Sequence, residues 1–229
     1  MGEGLSAAEV GKEIAEHRAE AKAEARADLI SIIEAILLAT VALFAGWSGF
    51  ASSKWSTESR LSLAQSSTAR SQASRADLQA LDTRNFDAST FNAWFTAYVA
   101  GDKQAMKIAA RRFRPDFRIA FDAWQATDPE TNPKAPPGPT YMPQYKQPEL
   151  ARANALDAKA DAKYLEGQKD AATADDYVRI TVYLATVLFL VGISGHFRVR
   201  VARYGLVGIG VVILVFAVAI LTTLPRPPG

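Results

Sequence analysis

An all-α integral membrane protein with three transmembrane helices is the fold class that this sequence predicts, and three observations predict it. The apolar residues gather in three blocks, at 29–51, 177–197 and 204–224. Each block is long enough to cross a hydrocarbon core of about 30 Å, which takes about 20 largely apolar residues in a helix. The residues between the first two blocks repeat their aromatic and apolar positions at helical spacing, not at the alternation of a strand. In lipid every backbone polar group must be bonded internally, so each block is read as a helix.

The first element is a charged helix over residues 1–28. Ser6 followed by Glu9 forms a capping box, in which each side chain reaches the other's backbone amide. Alanine dominates the rest of the segment and favours helix. Glu16, Glu20, Glu24 and Asp28 form one row four apart, and Arg18, Lys22 and Arg26 form another offset by two residues. At 100° per residue the acidic and basic rows lie on opposite sides. One reading is a solvated helix with intrahelical pairing. The other is a ring of copies, each acidic face meeting its neighbour's basic face.

The block at 29–51 is a retained anchor, not a cleaved signal. It is long, it lacks a small-residue cleavage site, and a charged segment precedes it. No breaker separates it from the helix before it, and none comes soon after. One long helix is expected from about Ser6 into the 70s or 80s. Ala35, Ala39, Ala42, Gly46 and Gly49 recur along it at alternating steps of four and three, continued by Ser53 and Ser56. Small residues at that spacing let helix backbones approach closely. Their partner is either another copy of the chain or the chain's own second span.

Residues 52–176 form a helical domain outside the bilayer. Residues 57–80 are rich in Ser, Ala, Gln and Arg and extend the first helix as a stalk. Phe91, Trp94, Phe95, Tyr98 and Val99 make an aromatic face, which Gly101 ends; Asp102 caps the next helix. Phe113, Phe117, Ala120, Phe121 and Trp124 make a second face, with Pro115 at its helix start. The two faces are expected to pack together as a small core. Residues 128–148 hold seven of the eleven prolines and read as an extended loop. Pro148 opens a further alanine-rich helix that runs into the second span, with loosening expected at Gly167 or around 173–176.

The second span, 177–197, and the third, 204–224, are joined by a short basic loop at 198–203, and a tail ends the chain at 225–229. Gly192 and Gly195 on one side and Gly205, Gly208 and Gly210 on the other suit a tight antiparallel hairpin. Arg198, Arg200 and Arg203 with no acid between them favour the cytoplasm for that loop. The N-terminus is then cytoplasmic and residues 52–176 periplasmic or extracellular. A wider count of nearby Lys and Arg agrees by only six to five.

The net charge of +2 points to no nucleic-acid partner. There is no cysteine and there are two histidines, His17 and His196, so neither a nucleophile–histidine pair nor a His/Cys metal cluster is expected, and no cofactor. Asp157 and Asp161, and likewise Asp175 and Asp176, read as solvated or helix-pairing carboxylates. Glu34 lies about 8 Å inside the inner edge of the first span, at 1.5 Å per residue. An ionisable group at that depth needs a partner. His196, Arg198 and Arg200 are the candidates, either as a structural lock or around an ion-handling carboxylate. A basic cluster of Lys107, Arg111, Arg112, Arg114 and Arg118, with Lys103, reads as a solvated face paired with Asp102, Asp116 and Asp122, or as a docking patch for anionic headgroups or a protein.

The string Arg112-Phe113-Arg114-Pro115-Asp116-Phe117, then Ala120-Phe121-Asp122-Ala123-Trp124, and Asn132-Pro133-Lys134-Ala135-Pro136-Pro137, resembles a motif of an uncharacterised family of bacterial three-span inner-membrane proteins. The resemblance covers roughly residues 40–200 and implies bacterial inner-membrane placement and no activity. The functional expectation is therefore non-enzymatic: a homo-oligomer in the lipid bilayer, acting as a scaffold or as an accessory subunit for a membrane or periplasmic partner. The alternative is an oligomeric ion channel or transport component lined by the first span, with Glu34 near its inner mouth.

Overall fold

In the computed structural model the chain forms α1 (Ala7–Val99), α2 (Lys103–Ala110), α3 (Pro115–Gln125), a short 3-10 turn (Pro139–Tyr141), α4 (Pro148–Ser194) and α5 (Arg200–Thr223). The structure describes the backbone of residues 7–197 and 199–229. It describes side chains from Asp28 onward, Arg198 and Arg200 excepted, and before that those of His17, Arg18 and Ala21. The capping box and most of the two charge rows lie outside the described side chains. No strand occurs among the described residues. Three helices are long and apolar enough to cross a membrane, in α1, α4 and α5. The protein is thus an all-α, multi-pass membrane protein.

The chain divides into two compact units, Met1–Arg60 with Gly167–Gly229, and Leu61–Glu166. In the first, α1, α4 and α5 meet around Val41, Ile180, Leu184, Val187, Val191 and Ala217. Heptad steps set each contact face: Glu34, Val41 and Ser48 on α1, and Arg203, Gly210 and Ala217 on α5, are buried or half-buried. The outward faces carry large apolar groups such as Leu43, Trp47, Phe189 and Val212. That inverted exposure belongs to a protein whose solvent there is lipid. Ser59, at the edge of this unit, donates its hydroxyl hydrogen bond to the Gly167 carbonyl of α4 at 2.8 Å.

In the second unit α1 and α4 again pair antiparallel, and Ser66 donates to the Ala160 carbonyl at 2.7 Å. Ala69, Ala73, Ala76 and Ala80 of α1 and Ala153 and Ala160 of α4 are buried along this seam. Arg70 bridges Asp157 at 3.0 Å and Asp161 at 2.6 Å beside it. These two carboxylates are therefore helix-pairing groups. The stretch over 57–80 is accordingly a close-packed helix pair and not only a polar stalk.

α1 runs on to Val99, past the 70s or 80s, so the first aromatic face is its last three turns. It ends in a Schellman motif: Gly101 has φ +70, its N–H bonds the Tyr98 carbonyl, and the Asp102 N–H bonds that of Ala97. Asp102 then caps α2 through the amides of Gln104 and Ala105, at 3.0 and 2.9 Å. Pro115 sits in the first turn of α3, where a missing N–H removes no helical bond. The two aromatic faces meet: Trp94, Phe113, Phe117, Phe121 and Trp124 form one buried cluster with Ala109. Phe95 and Val99 do not join it and stay exposed. α4 runs unbroken through Gly167 and residues 173–176. α5 begins at Arg200, so Arg203 belongs to a helix and not to the loop.

Candidate functional site

Three places in the structure concentrate polar or small side chains against helices: an ion pair at membrane depth, the faces of small residues, and a buried carboxylate in the second unit.

Glu34 is buried. Arg203 grips it with two parallel hydrogen bonds, Nε to Oε1 at 2.9 Å and Nη2 to Oε2 at 2.6 Å. Ser194 donates to the same Oε1 at 3.2 Å while also bonding the Val191 carbonyl at 2.7 Å. Each of the three spans contributes one group, and the planar guanidinium matches the carboxylate edge to edge. The partner that the structure shows is thus Arg203, which was not among the expected candidates, and not His196. His196 is exposed beyond the end of α4. Arg198 and the Arg200 side chain lie outside the described residues. Arg203 wins the contact because it stands seven residues before Gly210, on the face of α5 that packs inward. A single charge at the bilayer centre costs about 3 kcal/mol on insertion scales. Pairing the two and placing them near the edge removes most of that cost.

For the small residues of α1 one of the two expected partners drops out, and those of the hairpin fall differently from the expectation. Ala35, Ala39, Ala42, Gly46 and Gly49 all face away from α4 and α5. A Cβ built on Gly46 or Gly49 meets nothing within 4 Å. The stripe is not packed on the chain's own second span. Gly192, Gly195, Gly205 and Gly208 are likewise open, with nothing within 4 Å of a Cβ. The close approach in the hairpin is at Gly210 instead, whose Cβ would stand 3.1 Å from Val191 Cγ2. The inward register passes through positions 203, 210 and 217, and the glycines at 205 and 208 fall outside it. Ser59, Ser62, Ser66 and Ala69, which pack inward on α1, were visible as a second register of small residues at steps of three and four.

Asp87 is fully buried, below α1's last aromatic turns. Arg114 Nε and Nη2 reach its two oxygens at 2.9 and 2.8 Å, and the Tyr145 hydroxyl donates to Oδ2 at 3.0 Å. One carboxylate thus ties α1, the start of α3 and the proline-rich loop. Burial, then the bond to Asp87, pushes the Tyr145 hydroxyl up to about 12. The hydrogen bond to Asp87 also raises the Arg114 guanidinium above its ordinary value. Arg114 is therefore not part of a free docking patch. Arg118 is also engaged, donating to the Ala110 carbonyl at 2.8 Å and lying 3.5 Å from Asp122. Lys107, Arg111 and Arg112 stay exposed. Trp124 Nε1 donates to the Pro136 carbonyl at 2.8 Å, which anchors the loop to the aromatic cluster. The signal for Asp87 was its place in the steps 80, 87 and 94 of the inward face, where a lone acid needs a buried cation.

Among the described residues no group of three or more His, Asp or Glu side chains is placed to hold a metal ion. Comparison with protein-family models, with curated proteins and with solved structures found no match.

Proposed function

We propose that the protein is a non-enzymatic membrane scaffold that assembles with copies of itself through the membrane part of α1. The observation that carries this reading is the two-sidedness of α1. One face, through Glu34, Val41 and Ser48, is spent on α4 and α5; the other presents Ala35, Ala39, Ala42, Gly46 and Gly49 with no cover from the described residues. Small residues facing lipid give little contact, whereas against another helix they allow close backbone approach. The acidic and basic rows of residues 1–28 continue the same helix and suit a self-complementary neighbour. The capture of Glu34 by Arg203 weighs against the channel reading, since a carboxylate bonded on both oxygens is not free to handle ions.

The placement that goes with this function is a bacterial inner membrane, with the N-terminus in the cytoplasm and residues 52–176 on the far side. The arginines at 198, 200 and 203 support that orientation.

The chain has no cysteine, so single-cysteine crosslinking reads contacts without background. Gly46→Cys should crosslink into dimers in membranes, while Val182→Cys, on the exposed face of α4, should not. Native mass spectrometry in detergent should show an oligomer that Gly46→Ile weakens. A strict monomer with no crosslink from Gly46→Cys would remove this reading.

A further inference from the structure

The second unit holds a pocket that the assembly reading does not use. It lies between the end of α1 and the loop after α3, with a volume of about 620 Å³, and Trp94, Phe95, Tyr98 and Trp124 wall it together with Asp128 and Glu130. The walls are fixed before any ligand arrives. Trp94 stacks on Tyr98 at 5.3 Å with 12° between the rings, and meets Phe121 edge-on at 4.8 Å. Trp124 is held by its bond to the Pro136 carbonyl at 2.8 Å. Glu130 stands in the same wall as Tyr98, and its carboxylate raises the Tyr98 hydroxyl above its ordinary value. The Asp128 carbonyl accepts the N–H groups of Thr131 and Asn132, at 3.0 and 2.9 Å, which closes the loop around the pocket.

Both formal charges in the wall are negative, and aromatic faces are themselves attractive to cations. An anion is repelled by both features, and a neutral apolar molecule would desolvate the carboxylates without return. A bare metal ion is also a poor fit, because two carboxylates beside four rings supply too few oxygens. Lys103, Lys107 and Arg118 line a separate pocket on another side of Trp94 and Tyr98, so the basic groups lie apart from this one. A primary ammonium wants three acceptors converging on it, whereas this wall offers two carboxylates among aromatic rings. A bulky cation with its charge spread over methyl groups asks for none.

We propose that this pocket binds a quaternary ammonium group, held by the aromatic walls and the Asp128 and Glu130 carboxylates. Calorimetric titration of the full chain in a maltoside detergent, free of choline headgroups, tests it with three probes. Choline should bind saturably. Its uncharged analogue 3,3-dimethylbutan-1-ol and the primary amine ethanolamine should each bind at least about tenfold more weakly. Glu130→Gln and Phe95→Leu, both at exposed positions, should each weaken choline binding severalfold with the melting temperature unchanged, and Arg112→Gln should leave it unaltered. Absence of saturable choline binding, equal binding of the uncharged analogue or of ethanolamine, or an unchanged affinity in Glu130→Gln would each overturn the proposal.

Discussion

Asp87 illustrates how a single side chain organises a small domain. A fully buried carboxylate is tolerable only when its oxygens are bonded and its charge is opposed. Arg114 supplies both, and Tyr145 fills a further acceptor position. Removing one partner is worse than removing both, because it leaves the other uncompensated. Asp87→Asn should therefore cost about 3 kcal/mol, and Asp87→Leu combined with Arg114→Met should cost less than the single change; thermal unfolding followed by circular dichroism measures both. Tyr145 adds a pH dependence. Its folded value, about 12, lies above the ordinary value of 10.0. The folded state thus holds that proton more tightly than the unfolded chain does. Its contribution to stability is complete below pH 10 and is lost as the pH rises through about 12. Melting temperatures of the native chain should fall more steeply across that window than those of Tyr145→Phe, and parallel slopes would show that the hydroxyl carries no such coupling.

At the scale of the element, α1 and α4 show how two helices pair with almost no large side chains between them. Ser66 bonded to the Ala160 carbonyl, with Ala69, Ala73, Ala76 and Ala153 buried beside it, implies close backbones. Such a seam gains little from burial per residue, and depends on dispersion contacts and on the hydroxyl bonds. It should tolerate enlargement poorly. Ala73→Leu is expected to cost about 1–3 kcal/mol through overpacking, whereas Leu78→Ser, on the exposed side of the same helix, should change stability by less than about 0.5 kcal/mol; chemical unfolding of the two variants compares them. The seam also marks the limit of what the sequence made legible. The three spans, the cap at Asp102, the helix start at Pro115 and the two aromatic faces came from spacing and composition, which act over a few residues. The inward face of α1 did not, because alanines, glycines and serines recur at steps of three and four in two registers at once. Nothing within one helix says which register meets a partner. Arg203 as a partner of Glu34, and Gly210 over Gly208 as the close approach, were hidden for the same reason: the choice is made by helix rotation, which is a property of the packed trio.

For the whole molecule, the question is whether the charge in the first span serves transport or cohesion. Glu34, Ser194 and Arg203 come from three different spans, so the cluster joins the anchor to the hairpin at one depth. An ion pathway would need that carboxylate to exchange partners with passing ions, and two bonds of 2.9 and 2.6 Å to one guanidinium oppose such exchange. Cohesion makes a different demand, since it needs the pair intact and nothing to move. The two roles separate in one variant. Glu34→Gln keeps the shape of the side chain but leaves Arg203 uncompensated among apolar helices, so the detergent-solubilised chain should unfold at lower temperature and become more sensitive to protease in the hairpin. Glu34→Leu with Arg203→Leu should recover much of that loss, because the unpaired charge is gone. Ion flux across reconstituted vesicles should be negligible for the native chain and for Glu34→Gln alike. A measurable native flux that Glu34→Gln abolishes, with the melting temperature unchanged, would instead assign the carboxylate to conduction.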